Sequence, residues 1–261
     1  MTSDANLCAT TTRTATHPRT NVNITFTFDT HNYSTPAIPH FTSGTTLVKH
    51  FFEPFNAPEV AARCAAKRGV STESLLAEWE AKRNESSTCG TRTHETAEAL
   101  LQNLTPPHSP RHDRERAMFA AAYDAVHGLR AQGFVFSEAE KIVFSEGWVI
   151  AGMIDLTMYH PTTGVAWILD WKTNESIEWT DPYKKKGLGC LSHLPDCNAV
   201  HYSLQLSLYQ WLLVTEGYIS PNVPINRALI HLTPEGPRWL PVPYLGVEVK
   251  NMVREFWECP F

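Results

Sequence analysis

Residues 148–174, WVIAGMIDLTMYHPTTGVAWILDWKTN, decide the fold. Two apolar runs, 148–154 and 164–169, each lead into an aspartate, Asp155 and Asp170. Asp170 is followed by Trp171 and Lys172. Between the runs stands His160-Pro161-Thr162-Thr163-Gly164, a turn signal, so the stretch is expected to form a β-hairpin with Asp155 closing its first strand. Side chains alternate along a strand, which sets Asp170 and Lys172 on one face. Pairing in the hairpin can bring Asp155 beside them.

Two carboxylates and an ammonium at the end of an apolar sheet serve no core, because burying charge is expensive. They suit phosphodiester hydrolysis. Mg²⁺ binds through one or two carboxylates, keeps several waters and makes one of them more acidic. A lysine on the same face can contact the scissile phosphate and orient or deprotonate the attacking water.

Upstream of the hairpin, 134–144 is expected as a strand carrying Glu140. Residues 114–132 are expected as a long helix, with Met118, Ala122, Ala125 and Leu129 at helical spacing and Gly133 as its stop. A helix over 88–103 places His94 and Glu98, four apart, on one face. Residues 71–82 form a separate helix opened by Ser71, with Trp79 as a core anchor. Residues 59–68 form another helix behind Pro58, and a short apolar helix follows Thr42-Ser43. Residues 23–30, NITFTFDT, alternate as a strand does, and His31-Asn32-Tyr33 turns.

Downstream, 174–200 has little regular pattern and reads as a long loop. It contains Lys184, Lys185 and Lys186, the only basic run in the chain. A strongly apolar helix over 203–216 carries Gln205 and Tyr209 four apart. Strands over 226–233 and 238–242 and a closing helix over 247–257 complete the chain. This order implies an α/β (α+β) fold, a central mixed sheet flanked by helices.

At 261 residues, 43% hydrophobic and 19% charged, the chain suits a soluble globular protein with one large domain. Residues 1–22 are expected as a disordered tail and 23–261 as a single domain. Within it, 23–87 would be an N-terminal hairpin and helical segment and 88–261 the catalytic core. No apolar run approaches the roughly 20 residues of a membrane span. The N-terminus lacks the apolar stretch of a secretory signal. An intracellular, soluble protein is expected; nucleus, mitochondrion and viral or host cytoplasm are not distinguished. A formal net charge of −5 argues against a protein that coats nucleic acid through charge alone, though not against a local basic groove. The six cysteines are scattered without a CxxC pair, so free thiols are expected.

Four pieces stand in order: G-T-R-T-H-E-T-A-E from Gly90, A-G-M-I-D ending at Asp155, I-L-D-W-K-T around Asp170 and Lys172, and Y-S-L-Q-L-S-L-Y from Tyr202 to Tyr209. Together they resemble the PD-(D/E)xK nuclease superfamily, in its RecB-like branch that includes mitochondrial genome maintenance exonucleases. The resemblance implies a restriction-endonuclease-like core with a helical N-terminal segment. It implies Mg²⁺- or Mn²⁺-dependent cleavage of DNA, with Asp155, Asp170 and Lys172 catalytic and with Gln205 and Tyr209 as the motif on the following helix. Asp155, Asp170 and His94 would hold the metal. Some relatives carry a four-cysteine iron–sulfur site. Here Cys190 and Cys197 precede the Gln/Tyr helix and only Cys259 follows it, so no iron–sulfur cluster is expected.

Glu98 and Glu140 are candidates for support around the metal ligands. Arg92, Tyr183, Lys184, Lys185 and Lys186 are candidates for contacts to single-stranded DNA. An exonuclease on single strands or DNA ends in replication, recombination or repair is the leading expectation, with a helicase or replication protein as company. A structure-specific endonuclease and a non-catalytic nucleic-acid-binding protein on the same fold stay open.

Overall fold

A computed structural model describes residues 11–258. Its first three strands, β1 (Thr12–Thr16), β2 (Asn23–Thr27) and β3 (Asn32–Ser34), form an antiparallel sheet in the order β1-β2-β3. Two expectations need correction here. Residues 12–16 belong to a strand rather than a tail: Thr12 pairs with Thr27 and Thr16 with Asn23, so the ladder satisfies the backbone of this threonine-rich stretch. Residues 1–10 of the expected tail lie outside the described residues. Asn32 and Tyr33 lie in β3 rather than in the turn, which falls on residues 28–31 with His31 at φ 49°. The apolar side of this sheet, Ile24, Phe26 and Tyr33, packs on Phe41, Ile142, Phe144 and Ala151.

The second sheet has six strands: β4 (Thr42–Ser43), β5 (Val135–Ser145), β6 (Ile150–His160), β7 (Val165–Lys172), β8 (Ile225–Thr233) and β9 (Gly236–Pro241). Its order is β4-β6-β7-β8-β9, with β5 paired to β6. β4–β6 and β7–β8 are parallel and the other pairs antiparallel, so the sheet is mixed. The helices are α1 (Gly44–His50), α2 (Ala57–Arg68), α3 (Thr72–Leu101), α4 (Asp113–Ala131), α5 (Asn198–Thr215) and α6 (Gly246–Glu258).

Both faces of the sheet are covered, as its parallel pairs require. On one face Ile154 and Ile168 meet Leu204, Leu208 and Leu212 of α5. On the other, Leu156, Leu169 and Trp171 meet Cys89 and Ala97 of α3 and Met118 and Val126 of α4. α3 is one helix of 30 residues where two were expected. The segment between, 83–87, lacks an apolar period but holds no proline or glycine to break the helix. The first half of α3 packs on α2 through Ala61, Ala65 and Leu75, and the second half enters the main core. One rigid rod therefore links that small satellite core to the sheet.

Asp155 does not end its strand. β6 continues to His160, and the turn follows at 161–164 with Gly164 at φ 69°. Ile154 and Leu156, two apart on one strand, nevertheless pack into opposite cores. The alternation of faces switches at Asp155. In β5 the register places Glu140 at the same level, between the pairs Ala139–Leu156 and Lys141–Ile154, and Glu140 has φ 51°. The long loop after β7 ends sooner than expected, because α5 begins at Asn198. The Asn198 side chain accepts from the Glu178 N–H (2.7 Å) and donates to the Ser176 carbonyl (2.9 Å), tying the loop to the helix start. Within the loop, Gly189–Leu191 forms a 3₁₀ turn. Among the described residues no helix is long and apolar enough to cross a membrane.

Candidate active site

The hairpin register, Leu156 opposite Leu169, reaches Asp155 opposite Asp170 one step further on. The ladder stops there. Instead, the Asp155 Oδ2 accepts the Trp171 backbone N–H at 3.0 Å, so the first aspartate caps the strand that carries the second. On β7 the alternation holds. Trp171 is buried among α3 and α4, and Asp170 and Lys172 project from the opposite face.

Asp170 is 2% exposed, and its Oδ2 meets the Lys172 ammonium in an ion contact. Among the described residues Lys172 is the one partner of that buried oxygen. Burial raises the Asp170 carboxyl to about 6, with Lys172 pulling it down and Asp155 pushing it up. Burial also raises Asp155, against the opposing pull of Lys172 and the Trp171 N–H. For Lys172, burial acts to lower the ammonium, but the charges of Asp170 and Asp155 prevail and raise it. The ammonium stands over the Tyr202 ring, 4.5 Å from its centre. The Tyr202 hydroxyl donates to Asn174 Oδ1 (2.9 Å), and His231 Nε2 lies 2.7 Å from the Asn174 carbonyl. The chain just past Lys172 is fastened to α5 and to β8.

α3 delivers His94 to the same place. Its Nδ1 lies 3.6 Å from Asp155 Oδ2. Burial, and then the charge of Lys172, lower the imidazole to about 4, so it is neutral at pH 7 with a lone pair to offer. Close approach of α3 at this level depends on Gly90, where a Cβ would stand 3.0 Å from the Thr173 hydroxyl. Asp155, Asp170, Lys172 and His94 are therefore brought together as the sequence suggests.

Gln205 and Tyr209 lie one turn apart on α5, joined by a 3.0 Å hydrogen bond from Gln205 Nε2 to the Tyr209 hydroxyl. The buried Tyr209 ring fills the space left by Gly152 of β6 and Gly44 of α1, where a Cβ would crowd it. The two residues form a wall behind the aspartates. Glu98 is held by Arg13 (3.3 Å) and by Gln102 (3.0 Å). Glu140 lies across from Asp155; burial and then the Asp155 charge raise its carboxyl to about 8.

Arg92 is placed otherwise than a DNA contact requires. Its Nε donates to the fully buried Glu115 (2.7 Å) and its Nη2 to the Ser109 carbonyl (2.7 Å), so the guanidinium is consumed inside the fold. Tyr183, Lys184, Lys185 and Lys186 are exposed on the loop between β7 and α5. Lys185 pairs with Glu53 at 3.6 Å. Tyr183 and Lys185 line a cleft of about 1080 Å³ against α2, whose walls include none of the aspartate, lysine or histidine residues above.

Three contributors were not anticipated. Tyr202 lies in a quoted motif, but its place under Lys172 depends on how α5 crosses β7. The Tyr33 hydroxyl feels the charges of Glu140 and Asp155, and burial raises it first of all. Arg13 falls in the expected tail, although its Thr-Arg-Thr-Ala-Thr context carries the alternation of a strand.

Among the described residues no three His, Cys, Asp or Glu side chains form a ready metal cage. Mg²⁺ does not need one, since it takes one or two carboxylates and keeps its waters. The donors here fit such an ion: a buried oxygen on Asp170 with Lys172 as its one partner, a neighbouring carboxylate on Asp155, both raised by burial, and a neutral His94 beside them. No individual curated protein matches the chain. The PD-(D/E)XK nuclease superfamily profile matches residues 57–252, from the start of α2 into α6 and over all of these donors. The mixed sheet with flanking helices is the restriction-endonuclease-like fold of that family, and the chain belongs to the PD-(D/E)XK nuclease superfamily.

Proposed function

We propose that this nuclease is a Mg²⁺- or Mn²⁺-dependent deoxyribonuclease of the RecB-like branch. It acts as an exonuclease on single-stranded DNA or DNA ends in replication, recombination or repair, with DNA as its partner and a helicase or replication protein as company. The observation that carries the hydrolytic reading is the buried Asp170 carboxylate, set beside Asp155 with Lys172 as its paired cation. The exonuclease reading rests on the sequence motifs around His94 and Gln205.

In this reading Asp155 and Asp170 hold the divalent ion and His94 offers a third donor. When bound, such an ion acidifies a water and draws charge from the phosphate. Lys172 is the remaining cation of the cluster and lies on the Asp170 face. There it holds a non-bridging phosphate oxygen or orients the attacking water. The Tyr202 ring and the Asn174 tether keep the ammonium directed at that spot. The Trp171 N–H holds Asp155 in one rotamer, and Gln205 with Tyr209 closes the back wall. Glu98 and Glu140 stand behind these groups. Tyr183, Lys184, Lys185 and Lys186 are the exposed groups that would meet the strand beyond the cut, whereas Arg92 is already bound by Glu115.

Linear and circular single-stranded DNA of the same sequence, end-labelled where linear, test both levels of the proposal. The expected result is digestion of the linear form with Mg²⁺ or Mn²⁺, none in EDTA, and survival of the circle. Cleavage of the circle replaces the exonuclease by an endonuclease. Digestion unaffected by EDTA removes the metal mechanism.

A further inference from the structure

We infer that Arg13, on the outermost strand of the small N-terminal sheet, is a positioning residue for the nuclease site. The inference rests on the proposed metal-dependent hydrolysis. Arg13 lies outside the stretch that matches the superfamily. One side chain reaches three places. Its Nη1 donates to the Ala139 carbonyl at 3.1 Å and to the Glu140 carbonyl at 3.2 Å, and its Nη2 donates to Glu98 Oε1 at 3.3 Å.

The first two contacts fall where β5 is irregular. Glu140 sits in the left-handed region at φ 51°, a conformation that a residue with a Cβ keeps only when its surroundings hold it. The register levels Glu140 with Asp155, where β6 exchanges one core for the other. Two carbonyls turned toward one guanidinium supply the holding force that the ladder does not. The third contact falls on α3, one helical turn past His94. Thus Arg13 ties the irregular point of β5 to the helix that carries His94, with Asp155 between them. It is also a cation facing Glu140 and Glu98. A planar fork serves three acceptors at once, which a lysine cannot reproduce.

Arg19 provides an internal control. It belongs to the same N-terminal segment and also ties it to the body, through Nη1 to the Thr215 carbonyl at 2.7 Å, but at the far end of α5. Loss of Arg19 loosens the segment without touching the site. The experiment compares wild type, Arg13→Gln, Arg13→Lys and Arg19→Gln in the full chain. Four quantities are read: thermal midpoint, kcat and KM on a single-stranded oligonucleotide, and Mn²⁺ affinity by calorimetry without DNA.

Arg13→Gln is expected to lower kcat by roughly tenfold, to weaken Mn²⁺ binding several-fold and to leave KM near wild type, the scale seen when groups behind metal ligands are removed. Arg13→Lys should recover only part of this, and Arg19→Gln should change neither kcat nor Mn²⁺ affinity. Wild-type kcat and Mn²⁺ affinity in Arg13→Lys and Arg13→Gln overturn the inference. So does a loss shared equally by Arg19→Gln, which reduces Arg13 to a structural tie. If Arg13→Gln does not fold, Arg13→Lys decides by the same readouts. A wild-type protein with no metal-dependent cleavage overturns the proposed function instead, and is seen before any variant is made.

Discussion

Two buried carboxylates in this protein have opposite fates. Glu115, at the start of α4, is fully buried and receives bonds from Arg92 Nε (2.7 Å), the Arg111 backbone N–H (2.6 Å) and Arg111 Nε (3.2 Å). Burial works to raise its carboxyl, but these bonds hold it down to about 2. Asp170 is also buried, yet burial pushes it up to about 6, and its Oδ2 has Lys172 as its one partner. A fold that saturates one carboxylate and leaves the other short of partners uses them differently. The saturated one is scaffold, stapling α3 to the loop before α4. The unsaturated one has bonding capacity left for something that is not protein. α3 takes part in both, with Arg92 facing Glu115 and His94, two residues on, facing Asp155.

The comparison breaks first at Asp170. Asp170→Asn should lower cleavage of labelled DNA by at least about a thousandfold, some 4 kcal/mol in the barrier. Its thermal midpoint should fall only slightly, because Asp155 stays beside Lys172 to support the buried ammonium. A large fall in midpoint would make Asp170 scaffold after all. Glu115→Ala should do the reverse. Unpairing the guanidinium of Arg92 should cost about 3 kcal/mol of stability by denaturant titration. Activity per folded molecule should remain, and if it vanishes while stability holds, Glu115 belongs to the site.

A smaller effect tests the wall behind Asp155. Gly152→Ala would put a methyl into the Tyr209 ring and should destabilise by about 1–3 kcal/mol, as overpacking does. An unchanged midpoint would mean that the ring moves freely and walls nothing.

The smallest expected effect is on pH dependence. Glu140 is raised from 4.5 to about 8, so the folded protein binds its proton more tightly than the unfolded chain does. That contribution is complete below pH 4.5 and is lost as pH rises through 8. Asp170 behaves alike over its lower range, from 3.8 to about 6. His94, lowered from 6.5 to about 4, acts the other way and loses stability as pH falls through that range. Glu115, lowered from 4.5 to about 2, acts only in acid. The metal-free midpoint should therefore decline from pH 6.5 to 8. The decline is a few degrees, at about 2–4 °C per kcal/mol for a chain of this size. Glu140→Gln should abolish it and Mg²⁺ should reduce it; a flat profile in the unaltered metal-free protein contradicts the raised Glu140.

Much of the site was legible in sequence because its pieces are local. Apolar runs ending in Asp155 and Asp170, the Lys172 spacing and a turn signal require only alternation and turn chemistry. His94 became legible through its helix motif. Arg92 misled because a cation in a motif near the site looks free until its partner, 23 residues away on the next helix, is seen. The gap at 83–87 looked like a break because it lacks an apolar face. Yet a helix can cross such a gap when nothing stops it and Thr88 bonds back to the Asn84 carbonyl at 2.9 Å.

The sequence by itself determined the order of helices and strands from α4 onward, the hairpin and the set of charged groups that could do chemistry, since these follow from periodicity, turn residues and residue type. The tertiary structure alone decided which charges are spent and which are left over. It turned Arg92 inward, set Arg13 against Glu140 and Glu98, and put Asp155 in mid-strand where the faces exchange. Each of these depends on a partner distant in the chain, and a charge acquires its role only from what folding places beside it.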